Sequence, residues 1–500
     1  MFDAAIIGSG PAGLLCGLTL ARNGLRVLIL EKSPHSGGTS AVFSRRGYAF
    51  PMGPLGFSHP AIVDALLSEA GLDGPAYERE HYQVAAPGRD IMVSRPLGEL
   101  RAELIGLYPS EAAGLGSFFD ELQRDIGLMD RLEEWHPDFG APRPPRPGGP
   151  EQAARVEEVR RSRRTGCRLS LDRTLDDESL KRFLGGMGSS PPTLSRFNLA
   201  VMWNLMSEKG IWSPAGGVHG LCDRLREAYL RAGGELLLAS PAARIIVENG
   251  RSAGVAAGDG REVRSRWIVS TADAKTTVLE LVGPSDSPPE FRRMIEETPY
   301  TGSELCVYAG IDPRRVDFSR MRARHLLWTP PEATSAEQPS VPDFAGREIE
   351  ICRWSDAHPE CCPAGRESLV FRTGFPYEEF AGWRAGYRER RPGYREMKRA
   401  MASALLRSAE YILPGLVAAV EVMEAATPLT YADWGNRFQG SIAGWGWGPD
   451  KAGDGPGLLV ETPVKGLLLA GLYASTDLFL GGVPTALFCA RAAAERVLGG

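Results

Sequence analysis

Apolar positions in this chain follow two rhythms, and their order predicts the fold. Largely apolar blocks at residues 4–7, 26–30, 235–239, 267–270 and 466–471 read as short buried strands. Residues 243–247 alternate apolar and polar, and the Asn249-Gly250 turn leads from them to a partner strand around 253–257. Helical spacing marks helices at 14–23, 221–231, 274–281 and 485–497, with Asp273 as the cap of the third. Residues 97–135 also read as helices, carried by Leu104, Leu107, Leu115, Phe118, Phe119, Leu122 and Leu128. The Pro/Gly/Arg segment 137–150 reads as a loop or lid. From 301 to 425 the rhythm changes again: strands at 304–312 and 368–373 mix with helices at 377–388 and 394–407.

The pattern predicts an α/β chain in which one sheet-forming unit is interrupted twice. Residues 1–80, 205–300 and 426–500 form that discontinuous unit, and 81–204 with 301–425 form the other.

Chemistry enters at the first strand. Gly8-Ser-Gly10-Pro-Ala-Gly13 follows it at once and opens the first helix, and Glu31 ends the second strand. Gly8 permits a tight turn, Gly10 lets the backbone approach a pyrophosphate, and Gly13 lets helix and strand pack closely. The helix N-terminus faces the phosphates with its unpaired N–H groups. Glu31 sits where a carboxylate holds ribose hydroxyls and repels a 2′-phosphate. A second glycine pair follows, Gly37-Gly38-Thr39, and then Tyr48-Ala-Phe50-Pro-Met-Gly53-Pro54. An NAD domain has no need of that second pair, whereas a larger, folded-back flavin dinucleotide must pass close to the backbone there.

This run resembles flavoproteins of the phytoene desaturase, carotenoid isomerase and retinol saturase family, within the amine oxidase-related superfamily. Pro51 stands where that family usually has Asp. Other segments match it as well: Pro214-Ala-Gly-Gly217 before a helix, residues 426–430 and 440–444, a strand ending in Ala470-Gly471, and Gly481-Gly-Val-Pro484 before an Ala-rich helix. Ala242 takes the adenine-contacting position, which is usually Val. The resemblance implies a Rossmann-like FAD-binding domain of the glutathione-reductase type, interleaved with an α+β substrate-binding domain. It implies noncovalent FAD held by Gly8, Gly10, Pro11, Ala12, Gly13, Glu31, Lys32, Gly37, Gly38, Thr39, Gly53, Pro54, Ala242, Ser270, Gly471, Gly482 and Val483. The C-terminal helix would place its positive end beside the flavin ring and stabilise the anionic reduced form.

Composition narrows the rest. The chain has 500 residues, 43% hydrophobic and 24% charged, which is ordinary globular usage for a large enzyme. A net charge of −5 gives no reason to expect a nucleic-acid partner. Eight cysteines are scattered without a CxxC or zinc pattern, and no HExxH or His cluster suggests a metal. Cys16 and Cys489 lie in apolar helix patterns and read as buried thiols, and Cys361-Cys362 as two reduced thiols in a loop. The N-terminus carries no basic n-region and begins with a strand, and no stretch is long enough to span a bilayer. The expected location is the reducing cytoplasm. The arginine-rich run Arg160–Arg168 reads as a solvated helix face. The alternative is reversible docking on the inner face of a membrane.

The resemblance implies oxidation, reduction or isomerisation of a C–C or C=C bond in a lipophilic polyene or isoprenoid, by hydride exchange at the flavin, in an apolar tunnel. The electron partner and oligomeric state are not readable. Asp477 and Tyr431 are the candidate proton-handling residues. Asp433 and His219 also lie in segments expected near the flavin; the alternative for Tyr431 and Asp433 is a structural turn role, and His219 reads as a contact to helix backbone or solvent. An amine oxidase is the first alternative, disfavoured because Leu472 stands where that family commonly has Glu. A non-catalytic prenyl-binding escort protein is the second, disfavoured because the flavin glycines are intact.

Overall fold

The computed structural model describes residues 1–135, 150–186, 193–331, 344–446, 448, 459–475 and 481–499. Two seven-stranded sheets organise them. The first has a parallel core: Phe2–Ile7 lies between Val27–Leu30 and the C-terminal half of Glu262–Ser270. Glu235–Leu237 extends one side and Leu467–Leu469 the other, both parallel. Residues 4–7, 27–30 and 467–469 are apolar because both faces are covered, whereas Glu235–Leu237 at the sheet edge is exposed to half-buried. The helices Pro11–Arg22, Gly217–Arg231 and Gly482–Leu498 pack on one face, sharing a core that includes Leu14, Leu18, Leu225 and Leu487. The strand Glu262–Ser270 is longer than its apolar block. Its N-terminal half pairs antiparallel with Arg251–Ala257, which in turn pairs with Ala242–Glu248.

The second sheet runs in the order Val420–Ala426, Ser303–Ile311, Glu367–Phe375, Ile349–Arg353, His325–Trp328, Tyr82–Ala86, Arg89–Met92. Its outer face is apolar. Leu305, Val307, Ile349, Ile351, Leu369 and Phe371 pack under the helix Tyr394–Glu410 through Met401, Leu405 and Leu406. Its inner face meets Tyr48, Phe50 and Leu55 through Cys306, Tyr308, Val370 and Cys352. A helical lobe built from Leu97–Leu107, Ala112–Trp135 and Arg196–Trp203 closes one end, burying Leu327 and Val84 of the sheet.

Several sequence expectations change. The helix expected at 377–388 is only Glu378–Ala381, followed by a hairpin of Arg384–Gly386 and Glu389–Arg390. The reason is tertiary. Fully buried Asp433 pairs with Arg384 at 2.8 Å and Arg390 at 2.7 Å and also accepts the Arg388 backbone N–H, which holds this stretch folded back. The helix expected at 274–281 is capped by Asp273, whose carboxylate accepts the N–H groups of Lys275 and Thr276, but Thr276–Val282 winds as a π-helix. Residues 137–149 of the expected loop lie outside the described residues.

Candidate functional site

The carboxyl ends of the parallel strands, Ile7, Leu30, Ser270 and Leu469, lie along one edge of the first sheet, where open α/β sheets bind ligands. Three glycine loops converge there. Gly8 adopts φ +99°, a left-handed value that suits only glycine, and a Cβ on it would sit 2.6 Å from Thr271 Oγ1. A Cβ on Gly13 would strike the Gly8 carbonyl well inside the 3.0 Å that real Cβ atoms keep, so helix and turn touch backbone to backbone. Gly38 packs on Gly10, with a Cβ position 3.2 Å from Gly10 Cα. A Cβ on Gly53 would strike the Thr39 carbonyl, and one on Gly471 would lie 3.5 Å from the Thr271 carbonyl. A Cβ on Gly10 or Gly482, by contrast, meets nothing within 4 Å.

Glu31 is buried, and its carboxylate already organises the loops. Oε2 accepts the Ser9 N–H and Ser9 Oγ, both at 2.8 Å, and Oε1 accepts the Ser33 N–H at 2.9 Å. A carboxylate has about four acceptor sites, so capacity remains for a ribose hydroxyl. Lys32 donates to the Trp434 carbonyl at 2.6 Å. Burial lowers its pKa to about 8, with Glu31 pulling the other way. Thr39 Oγ1 accepts from Arg437 Nη2 at 2.9 Å, and the same guanidinium holds the carbonyls of Ser441 and Ile442. Pro11 and Ala12 open the first helix, Pro54 follows Gly53, and Ala242 begins the strand Ala242–Glu248. Ser270 turns inward, its hydroxyl 2.7 Å from that of Thr277. The residue that meets Gly8 is its neighbour Thr271, which donates to the Ile7 carbonyl at 2.8 Å. Neither Thr271 nor Arg437 was legible as a site residue, because both come from segments distant in sequence with no glycine or acid signature.

The C-terminal helix begins at Gly482, earlier than its apolar pattern, after Gly481 at φ +83°. Val483 is buried, and the Thr485 hydroxyl is buried without a partner among the described residues. An open approach over Gly10, another over Gly482 and an orphaned hydroxyl at a helix N-terminus fit an extended dinucleotide with phosphates at one end and a ring at the other. No group of three or more His, Cys, Asp or Glu among the described residues could hold a metal.

The proton-handling candidates separate. Asp477 lies outside the described residues. Tyr431 is buried and donates to Glu304 Oε1 at 2.6 Å. Glu304 begins a polar row on the inner face of the second sheet. It stands diagonal to Arg372, which is directly opposite Glu350, and Glu350 Oε1 is 3.1 Å from His325 Nδ1. This row corrects the expectation of an apolar wall. It was hidden because glutamate and arginine in a strand pattern read as solvent-facing positions. Burial raises the Glu304 carboxyl pKa, and nearby Arg372 and Tyr431 offset that only in part. Asp433 and His219 are structural in different ways. Asp433 is the hairpin clamp, and His219 meets His358 edge-on, ring centroids 6.1 Å apart, with its pKa lowered by burial.

Cys16 and Cys489 are buried thiols pushed up to about 12 by burial, and all eight cysteines are free. In the arginine run, Arg168 bonds Asp172 and Glu178, and Arg163 lies over Phe197. No described helix is long and apolar enough to cross a membrane.

Comparisons with known proteins agree with this geometry. The chain is 23% identical over 504 residues to a prolycopene isomerase of Daucus carota, covering 95% of this chain and 76% of that protein. It is 23% identical to an all-trans-retinol 13,14-reductase of Danio rerio, covering 97% and 85%. A solved putrescine oxidase shares the fold with a TM-score of 0.64 at 15% identity, over 100% of this chain and 99% of that one. Residues 11–314, more than half of the chain and including Gly13, Glu31, the Gly37-Gly38 pair and Thr271, match the family model for flavin containing amine oxidoreductases. The chain belongs to that family and is an FAD-dependent oxidoreductase.

Proposed function

We propose that this enzyme oxidises, reduces or isomerises a carbon–carbon bond of a lipophilic polyene or isoprenoid. The observation that carries the reading is where the full-length likeness falls. In sequence it runs to enzymes named for prolycopene and retinol, whereas the likeness to an amine oxidase is one of fold. The division into a glutathione-reductase-type FAD domain (1–80, 205–300, 426–500) and a substrate domain (81–204, 301–425) goes with this reading. So does noncovalent FAD held by the glycine loops and Glu31.

When bound, the flavin supplies hydride exchange. The chain's own residues do the rest. Gly8, Gly10 and the first helix N-terminus would hold the pyrophosphate of the dinucleotide, and Gly482 and Val483 would hold its flavin end at a helix N-terminus. The second sheet and helical lobe exclude water. Tyr431 and Glu304 hold the proton, with Tyr431 fixing the carboxyl and Glu304 reaching the substrate. The test is anaerobic mixing with panels of polyenes and amines, followed by flavin absorbance and lipid mass. Bleaching by an amine with polyenes inert would replace this reading with the oxidase one.

Peripheral membrane contact through Arg160, Arg161 and Arg164 is a finer proposal, at about 1 kcal/mol per arginine near an anionic surface. Sedimentation with phosphatidylserine liposomes at low salt tests it, and absence of binding there removes it.

A further inference from the structure

A sheet face that met only hydrocarbon would have no use for a row of ionisable groups, because charges in such a wall lose hydration without recompense. Yet Glu304, Arg372 and Glu350 sit in one row across three adjacent strands of the inner face. His325 is hydrogen-bonded behind Glu350, and Tyr431 behind Glu304. Glu304, Arg372 and Glu350 are surrounded by protein, yet each keeps part of its surface accessible, as groups on the wall of an internal space do. The row lies beside the cofactor loops. Arg372 Nη2 donates to the carbonyl of Gly53, and Gly53 packs on Thr39.

The partners of Arg372 are incomplete. A guanidinium carries five N–H donors. Here Nη2 is engaged by Gly53, and Nε has no partner among the described residues. The flanking carboxylates are committed elsewhere, Glu304 to Tyr431 and Glu350 to His325. A purely structural arginine would be bonded to one of them in the fork geometry, as Arg353 is to Glu367 in the same sheet.

Burial opposes ionisation of Glu350, but the His325 hydrogen bond and Arg372 hold its carboxyl below the usual range. Burial likewise opposes the charge on His325, but Cys352 and Glu350 overcome it and hold its pKa at about 10. With Glu304 pushed toward its neutral form, Glu350 is shared between Arg372 and His325, and His325 also faces the buried carboxylate of Glu80 at 3.6 Å, so Glu350 serves Arg372 without a fork bond to it.

We propose that Arg372 receives the acceptor oxygen of a carbonyl or carboxylate group carried on the lipophilic substrate, close to the carbon–carbon bond that reacts. The inference rests on the polyene reading above and narrows it from hydrocarbons to oxygenated polyenes. Closeness follows from the sheet. Glu304 and Arg372 are diagonal neighbours on adjacent strands, roughly 7–8 Å apart at the backbone and nearer at their side chains. An oxygen on Arg372 therefore lies a few bonds from a carbon that Glu304 reaches.

The experiment uses the FAD-loaded enzyme in its oxidised form and four C20 polyenes of equal conjugation: the acid, the aldehyde, the alcohol and the hydrocarbon. Binding is read from the polyene and flavin absorbance shifts, without turnover. The wild type should bind the acid and aldehyde roughly tenfold to a hundredfold more tightly than the hydrocarbon, the range for a hydrogen bond to a charged group. Arg372→Met should bind all four alike. Arg372→Lys should recover part of the preference, since it keeps the charge but not the fork. Equal affinity of the wild type for all four overturns the inference and leaves the polyene reading standing, whereas binding of none overturns both. Discrimination that survives in Arg372→Met overturns the assignment to Arg372. If Arg372→Met fails to fold, the wild-type series still decides whether an oxygen is recognised, and Arg372→Lys decides which residue recognises it.

Discussion

Gly10 and Gly13, one open and one packed on backbone, should respond oppositely to the same substitution. Gly13→Ala adds a methyl whose position lies well inside contact distance of the Gly8 carbonyl, a backbone atom that can retreat only by unpacking helix from strand. Overpacking of this sort costs about 1–3 kcal/mol or more, against about 1 kcal/mol gained from alanine's better helix propensity. The apo-protein should therefore melt lower. Gly10→Ala adds a methyl that meets nothing within 4 Å, at φ −69° and ψ 179°, where any residue is comfortable. Reduced chain freedom when unfolded should leave the apo-protein unchanged or about 0.4–1 kcal/mol more stable. If Gly10 lines the pyrophosphate path as proposed, that same methyl stands in it, and FAD should be lost without any loss of fold. The assay pairs a thermal melt of the apo-protein with flavin released by acid and measured by absorbance. Full FAD content in Gly10→Ala, at a normal melting temperature, would show that the pyrophosphate does not pass this backbone and refute the cradle argument.

Two further outcomes follow from buried groups. Glu31→Ala removes the acceptor of three hydrogen bonds. It should weaken FAD binding by up to about 3 kcal/mol, the upper figure for a hydrogen bond to a charged group, and loosen the 31–38 turn. Unchanged occupancy after dialysis would sink the ribose assignment, and hydrogen exchange at Ser9 and Ser33 reads the turn separately. His358 is buried against Trp354, with ring centroids 4.1 Å apart, and burial lowers its pKa to about 4. Unfolding then takes up a proton between pH 4 and the ordinary 6.5, so this group's contribution is present above pH 6.5 and lost as pH falls through 4. His358→Asn should flatten the melting temperature across that window, and an unaltered slope would mean another group sets it.

The helix at 377–388 shows where local pattern fails. Its apolar positions suit a helix, but Asp433, more than forty residues on in sequence, draws Arg384 and Arg390 together and the chain closes as a hairpin. The short strands His325–Trp328 and Ile349–Arg353 were likewise invisible, because histidine, glutamate and arginine within them break the apolar rhythm.

By itself the sequence determined the local elements of the first sheet, from the strand at Phe2–Ile7 to the glycine loops, Glu31 and the C-terminal Gly-Gly-Val-Pro turn. Those features are local: a tight turn, a helix end and a close backbone approach each dictate residue type within a few positions. Only the tertiary structure decided what faces them. Thr271 beneath Gly8, Arg437 on Thr39, and the row of Glu304, Arg372, Glu350 and His325 come together from segments that can lie hundreds of residues apart. Each reads alone as an ordinary polar position. Its meaning depends on which strands pair and which sheet face turns inward, and long-range pairing sets both.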